Sequence, residues 1–389
     1  YTLVLNSTSW KITRPLRATR RVLNNFMLAR AWNPARWPSL FSNLAKDLFT
    51  LGPGGTLHRL QNNNPEAVPE PGPAEDTEPV GDPQPPAAFP EISQPDVSIV
   101  LPAYNQWLFT AACLRSLAET EGRYSFEVIV VDDCSDDESA DWLGSIEDLK
   151  YVRNEVNLGF VGSCNRGASL ARGEFLVFLN NDTEVLEGWL DELIDTLKKE
   201  PGAGLVGARL IYPDGRLQES GGMIFNDGSG WNYGREDDAD RPEYCFMREV
   251  DYCSGACIAL RTEHFKQIGP FDTRYTPAYY EDTDLAFRMR EAGLKVLVQP
   301  ASTVIHHEGI TSGTDTSSGT KQYQLVNQEK FVERWETELQ SQPAVVDNKD
   351  DRRALRSACL HRAEGRILFI DASTPEPDKS SDGLRMSHL

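Results

Sequence analysis

Short apolar runs alternate with stretches of helical period from residue 96 to about residue 340. Val97 to Leu101 and Val128 to Val131 are rich in β-branched residues, and each ends in polar residues, as buried parallel strands do. Between them, Trp107 to Thr120 repeats its apolar positions at helical spacing. Further strands are predicted at Tyr151 to Arg153, Phe175 to Leu179, Gly204 to Leu210 and Ile258 to Leu260, with helices at Gly162 to Arg172 and Leu186 to Lys199. This alternation predicts an α/β fold, a mostly parallel Rossmann-like sheet flanked by helices. The ligand crevice of such a sheet lies at the carboxyl ends of the strands.

The pattern differs on both flanks. Residues 1–60 carry Lys11, Arg14, Arg17, Arg20, Arg21, Arg30 and Arg36 among Trp10, Leu16, Val22, Phe26, Trp32 and Trp37, which reads as a basic helical arm. Such an arm packs on an acidic domain or touches a membrane surface or partner, since Arg and Trp together suit headgroup interfaces. Residues 61–95 are rich in Pro, Glu, Asp, Gly and Ala, have no period that buries a core, and read as a linker. Residues 341–389 read as a tail in which Arg366 to Asp371 is an opening buried strand. Residue 1 is Tyr, so the chain is expected to have been cut from something longer or processed.

Charge and composition narrow the function. Lys and Arg number 39 against 59 Asp and Glu, a formal net charge of −20 that repels nucleic acid. The seven cysteines are scattered and lack paired metal spacing, which fits a reducing cytoplasm; Cys253 and Cys257 lie four apart with no second pair and read as packing thiols. No stretch reaches the roughly 20 apolar residues of a membrane helix, so the chain is expected to be soluble.

Candidate chemistry gathers where strands end. The first strand runs into Pro102, Ala103, Tyr104 and Asn105, and the second into Asp132 and Asp133, so both polar ends open on one edge. A carboxylate there accepts hydrogen bonds from a base or ribose, although an Asp pair before Ser135 also suits a helix cap. Asn157, Gly159, Gly162, Asn165, Arg166 and Gly167 form a glycine-spaced stretch that is neither a GxGxxG nor a P-loop pattern. Backbone amides at such a helix start still approach a diphosphate. The strand Phe175 to Leu179 then runs into Asn180, Asn181 and Asp182, where a carboxylate can bridge a hard cation to a diphosphate.

The order of these features, continued by Ser254-Gly255-Ala256, Gly269-Pro270-Phe271-Asp272, Glu281-Asp282-Thr283-Asp284-Leu285, Arg288, Gly293 and Val304-Ile305-His306-His307, resembles family 2 of the inverting glycosyltransferases with the GT-A fold. Within it the bacterial rhamnosyltransferase-like branch is the most similar, over about residues 97 to 310. The resemblance implies a metal-assisted transfer from a UDP- or dTDP-linked sugar to a glycan or lipid-linked glycan acceptor. The expected setting is O-antigen-like surface polysaccharide synthesis at the cytoplasmic face of the membrane. It implies that Pro102, Ala103, Tyr104, Asp132, Asp133, Asn157, Gly159, Asn165, Arg166, Asn180 and Asn181 bind the donor. Asp182 would hold Mn²⁺ or Mg²⁺ with His306, for which role His307 and Glu308 compete. Asp282 would be the general base, and Gly255, Glu281 and Trp231 would face the acceptor. Asn180 replaces the first carboxylate of the family's Asp-x-Asp, which weakens metal binding in the absence of donor. The tail resembles the start of a GT-B type glycosyltransferase domain.

Breaking a sugar–phosphate bond requires positive charge at the leaving diphosphate and a base at the attacking hydroxyl. Asp282 instead as a helix cap, and His306 as a packed histidine, are the plainer readings. Residues from Ile224 to Glu249 have little periodicity and read as an acceptor-side loop carrying Trp231, Tyr233 and Arg235. Two rival functions use the same sheet: a sugar nucleotidyltransferase, disfavoured because Pro102 to Trp107 holds no Lys or Arg, and a non-catalytic carbohydrate-binding or scaffold module.

Overall fold

A computed structural model describes Phe89 and residues 92–308 and 323–362. The arm, the linker up to residue 88, and the tail strand at 366–371 lie outside the described residues. In chain order the first elements are β1 (Val97–Ala103), α1 (Trp107–Glu119), β2 (Phe126–Asp132), α2 (Ser139–Gly144), β3 (Lys150–Arg153), α3 (Gly159–Ser169), β4 (Phe175–Leu179), β5 (Thr183–Val185), α4 (Trp189–Lys199) and β6 (Ala203–Ile211). Then come β7 (Leu217–Glu219), β8 (Gly222–Ile224), β9 (Gly230–Asn232), β10 (Arg248–Glu249), β11 (Cys257–Arg261), α5 (Thr262–Ile268), α6 (Glu281–Glu291) and β12 (Lys295–His306). Helices α7 (Tyr323–Arg334), α8 (Glu336–Leu339) and α9 (Arg352–Cys359) follow.

The main sheet has the order β10-β12-β6-β11-β4-β1-β2-β3. Strands β3, β2, β1 and β4 pair in parallel, as do β6 and β12, whereas β11 is inserted antiparallel between β4 and β6. The mostly parallel α/β sheet expected from the sequence is therefore present, with β11, at the strand predicted over Ile258 to Leu260, reversed inside it and the short β5, β7 and β10 antiparallel to their neighbours. Every residue of β1 and β4 is buried, which is why neither shows polar alternation. One helical layer packs Leu114 and Leu117 of α1 with Leu193, Ile194 and Leu197 of α4, and the opposite face buries Val161 and Cys164 of α3 with Leu285 and Met289 of α6.

Two polar groups are buried in the sheet at its far end. Glu127 accepts from Ser98 Oγ at 2.6 Å and from Arg172 Nε and Nη2 at 3.0 and 2.8 Å, so its charge is matched by a guanidinium.

The stretch expected to be an irregular loop has its own core. Strands β8 and β9 form a hairpin, and Leu217, Met223, Phe225, Tyr233 and Tyr244 pack with Leu355, Ala358 and Cys359 of α9. Long-range packing builds this unit, so no period of 2 or 3.6 reveals it. The boundary expected at residue 340 falls too early, because α9 is amphipathic and closes that core. Its N-cap Asp351 accepts from the amides of Arg353 and Ala354.

Candidate functional site

Above the carboxyl ends of the parallel strands lies a crevice of about 600 Å³. It is bounded at one end by β1 and β2, at the centre by the β4–β5 junction and β12, and at the other end by β7, the hairpin and the start of α6. Pro102, Ala103, Tyr104, Asp133, Asn157, Gly159, Asn180, Asn181, Asp182, Trp231, Gly255, Glu281, Asp282 and His306, each singled out from the sequence, line it together.

Asp132, Asn165 and Arg166 do not line it, contrary to the donor-binding role expected of them. Successive strand residues face opposite sides, so Asp132 turns to Tyr151 and Arg153, both at 2.8 Å, and has no exposed surface. Asn165 exchanges two hydrogen bonds with the backbone of Phe271, and Arg166 donates to the Arg153 carbonyl and to Asn154. These three side chains fasten the crevice floor from behind.

Asp133 anchors the loop at that end. Its carboxylate accepts from Asn154 Nδ2 at 2.7 Å and from the amides of Leu158 and Gly159 at 2.7 and 2.8 Å. Gly159 has φ +71°, and a Cβ there would lie 2.7 Å from Pro277 Cβ, so only glycine permits this approach.

At the centre, strand register brings two candidate cation ligands together. His306 of β12 pairs with Thr183 of β5, and Asp182 immediately precedes Thr183. The backbone of His307 donates to the Asp182 carbonyl at 2.9 Å, and His306 Nε2 sits 3.3 Å from Asp182 Oδ1. Gln218 Oε1 lies 2.8 Å from His306 Nδ1 while its Nε2 donates to Glu308 at 3.2 Å. With that amide orientation Nδ1 carries the proton, and Nε2 faces Asp182. Burial alone lowers the His306 pKa, but the charge of Asp182, with Glu308 and Glu219 beyond it, outweighs burial and the net shift is upward. His307 is turned elsewhere: its Nε2 meets Glu184 Oε1 at 2.8 Å and its ring packs on Phe109, outside the crevice.

At the far end Asp282 Oδ2 accepts from the Gly255 amide at 2.9 Å and Oδ1 from the Thr283 amide at 2.6 Å. Tyr280, in left-handed backbone conformation, holds the N-cap position of α6, so Asp282 is not its cap. Burial raises the Asp282 pKa against the lowering effect of those amides. Glu281 beside it is held well above the usual carboxylate range by burial and by Asp282. Asp284 points into the protein, where Arg288, Arg334 and Trp335 bind it.

Sequence reasoning missed Gln218, Glu219 and Tyr252, and it saw Arg235 and Glu308 without their link. Arg235 Nη2 meets Glu308 Oε2 at 3.0 Å, and Tyr212 donates to the same carboxylate at 3.0 Å. The only available signal was the polar pair Gln218-Glu219 following Leu217 in an otherwise unremarked stretch.

Residues 98–269 match the family model described as glycosyl transferase family 2. The chain carries a glycosyltransferase family 2 domain. It is 30% identical over 236 residues, 58% of this chain and 18% of the relative, to the O-antigen biosynthesis protein RfbC of Myxococcus xanthus. It is 32% identical over 156 residues, 37% of this chain and 50% of the relative, to N-acetylglucosaminyl-diphospho-decaprenol L-rhamnosyltransferase of Mycobacterium tuberculosis. The chain thus spans at most half the length of these two relatives. The crystal structure of GalNAc-T7 with UDP, GalNAc and Mn²⁺ aligns at TM-score 0.51 and 19% identity over 64% of this chain and 50% of that one, which shows that the family 2 domain has the GT-A type of fold. The catalytic candidates Asp282 and His306 both follow the matched segment.

Proposed function

We propose that this chain is an inverting, nucleotide-sugar-dependent glycosyltransferase acting on a glycan or lipid-linked glycan acceptor in bacterial surface polysaccharide synthesis. The observation that carries the reading is the separation, along one crevice, of the pair Asp182 and His306 from the half-buried carboxylate Asp282. Displacement with inversion needs this arrangement: charge compensation behind the leaving group and a base at the incoming hydroxyl.

The donor set fits a divalent cation. Asp182 Oδ1 and Asn180 Oδ1 are buried without hydrogen-bond partners, and His306 Nε2 faces the first of them. Among the described residues no group of three or more His, Cys, Asp or Glu converges, so two or three protein ligands would be completed by the donor's diphosphate. Mn²⁺ or Mg²⁺ held there would neutralise charge on the departing diphosphate. Its need is electrostatic: among the described lining residues the carboxylates of Asp133, Asp182, Asp282 and Glu308 face only Arg235 and His306 as cations.

On this reading the nucleobase lies against Pro102 to Tyr104 and Asp133, and the diphosphate against Asn180 to Asp182. Asp282 takes the proton of the acceptor hydroxyl at Oδ1 or Oδ2 as the hydroxyl attacks the anomeric carbon. Trp231 offers a face on which an acceptor ring stacks. The M. xanthus and M. tuberculosis relatives support a polysaccharide role, and the latter's name supports a polyprenol-linked acceptor and with it work at a membrane; on this reading the donor is a UDP- or dTDP-linked sugar and the membrane face is the inner one. No helix among the described residues is long and apolar enough to cross one.

Thermal unfolding of the full chain with UDP-, dTDP- and GDP-sugars, each with and without Mn²⁺ or Mg²⁺, tests the reading. A donor at 100 times its dissociation constant stabilises by about 2.7 kcal/mol. Metal-dependent stabilisation followed by a product of inverted anomeric configuration is expected; a retained configuration overturns the mechanism.

A further inference from the structure

Glu219 has no role in the mechanism above, yet it lines the crevice with only 1% of its surface exposed. Its Oε1 accepts from the Ser254 amide at 2.9 Å, while its Oε2 is buried with no hydrogen-bond partner. An unpartnered buried carboxyl oxygen costs about 1–3 kcal/mol, a cost that a ligand hydroxyl can remove.

The neighbours of Glu219 locate it. Gln218, one residue before it, holds His306 at the diphosphate end. Ser254, whose amide it binds, precedes Gly255, whose amide binds Asp282 at the acceptor end. Glu219 is therefore tied to both ends of the reaction, and the group lying between a leaving diphosphate and a base in an in-line displacement is the transferred sugar.

We infer that Glu219 is a specificity-determining residue that hydrogen-bonds a ring hydroxyl of the transferred sugar through Oε2. This deepens the glycosyltransferase reading and rests on it. Burial pushes the carboxyl up to about 8, so near neutral pH it both donates and accepts, which suits a hydroxyl.

The test is thermal unfolding of the full chain with Mn²⁺ and UDP, dTDP or GDP, against the same nucleotides carrying glucose, N-acetylglucosamine, rhamnose or mannose, without acceptor. The measured quantity is the extra affinity that the sugar adds to its bare diphosphate. Glu219→Leu should leave the bare-diphosphate affinity within about twofold and lower the affinity for the wild type's preferred nucleotide sugar by about tenfold. Glu219→Gln, which keeps an acceptor for Ser254 and a donor at the second position, should restore most of it. An undiminished sugar contribution in Glu219→Leu, equal losses for diphosphate and nucleotide sugar, or failure of Glu219→Gln to restore it overturns the assignment. If Glu219→Leu does not fold, Glu219→Gln decides alone: its sugar preference must match the wild type while its bare-diphosphate affinity is unchanged. A wild type bound by none of the nucleotides refutes the glycosyltransferase reading itself, a result distinct from wild-type sugar binding that ignores Glu219.

Discussion

His306 Nε2 lies 3.3 Å from Asp182 Oδ1 because the last residue of β12 is in register with the first residue of β5. Residues 124 positions apart in sequence thus become neighbours by strand pairing. Asp182→Ala should abolish the Mn²⁺-dependent part of nucleotide stabilisation, and His306→Ala should reduce it, as expected when one of few protein ligands is lost. Calorimetric titration of Mn²⁺ in the presence of UDP checks this. Metal-dependent binding unchanged in both variants would exclude the pair as ligands.

Asp282→Asn keeps the hydrogen bonds from Gly255 and Thr283 but cannot take a proton. Turnover should fall about 10²–10⁴-fold while nucleotide affinity stays within a factor of about two. A near-normal rate at saturating acceptor would remove Asp282 from the role of base.

Because burial raises the Asp282 pKa, the acid limb of kcat/KM should lie above the ordinary aspartate range near 4. The sign follows from the role: a base acts when ionised, so the rate climbs with pH through that raised pKa. A pH–rate profile of the wild type with its preferred donor would show this limb, and a limb at or below pH 4 would contradict it.

Glu219 offers a pH test that needs no substrate. Its pKa is pushed up to about 8 in the folded protein, whereas an unfolded glutamate titrates near 4.3. The folded state keeps a proton that the unfolded chain releases, so this residue's contribution falls as pH rises from about 4.5 to about 8. The stability of Glu219→Gln relative to wild type should therefore improve across that window, by a few kcal/mol at most, since about 1.4 kcal/mol corresponds to one pKa unit. Urea unfolding of both proteins at pH 5 and pH 8 measures the difference, and parallel pH dependences would refute it.

Gly159→Ala places a Cβ 2.7 Å from Pro277 in a left-handed backbone position and strains the amide that binds Asp133. A loss of about 1–3 kcal/mol in urea unfolding is expected, with weaker nucleotide binding. A neutral effect would show that the loop accommodates a side chain by moving.

Sequence made the alternating strands and helices legible because β1, β2 and β4 are buried on both faces and read as continuous apolar runs. It also singled out Asp133, Asp182 and Asp282, which line the crevice, since each lies within three residues of a strand end or opens a helix. Asp132 was misplaced because neighbouring strand residues are indistinguishable by composition yet face opposite sides. Glu219 stayed hidden for another reason: its significance depends on Ser254, an amide 35 positions away, and β7 is only three residues long. The hairpin unit was missed because its core is completed by Leu355, over a hundred residues beyond Tyr233.

That completion means that the crevice draws on two stretches of the chain. The matched segment 98–269 supplies the sheet floor under the proposed donor, whereas Asp282, His306 and the α9 buttress behind the Trp231 wall come from later in the chain. A protein trimmed to the family match would keep Trp231 and much of the donor floor yet lose the proposed base, His306 and the helix that buttresses the hairpin. On the proposed reading, substitutions confined to the hairpin and α9 change the wall facing the acceptor and leave Asp133, Asn180 and Asp182 untouched, so the choice of acceptor would vary separately from the choice of donor.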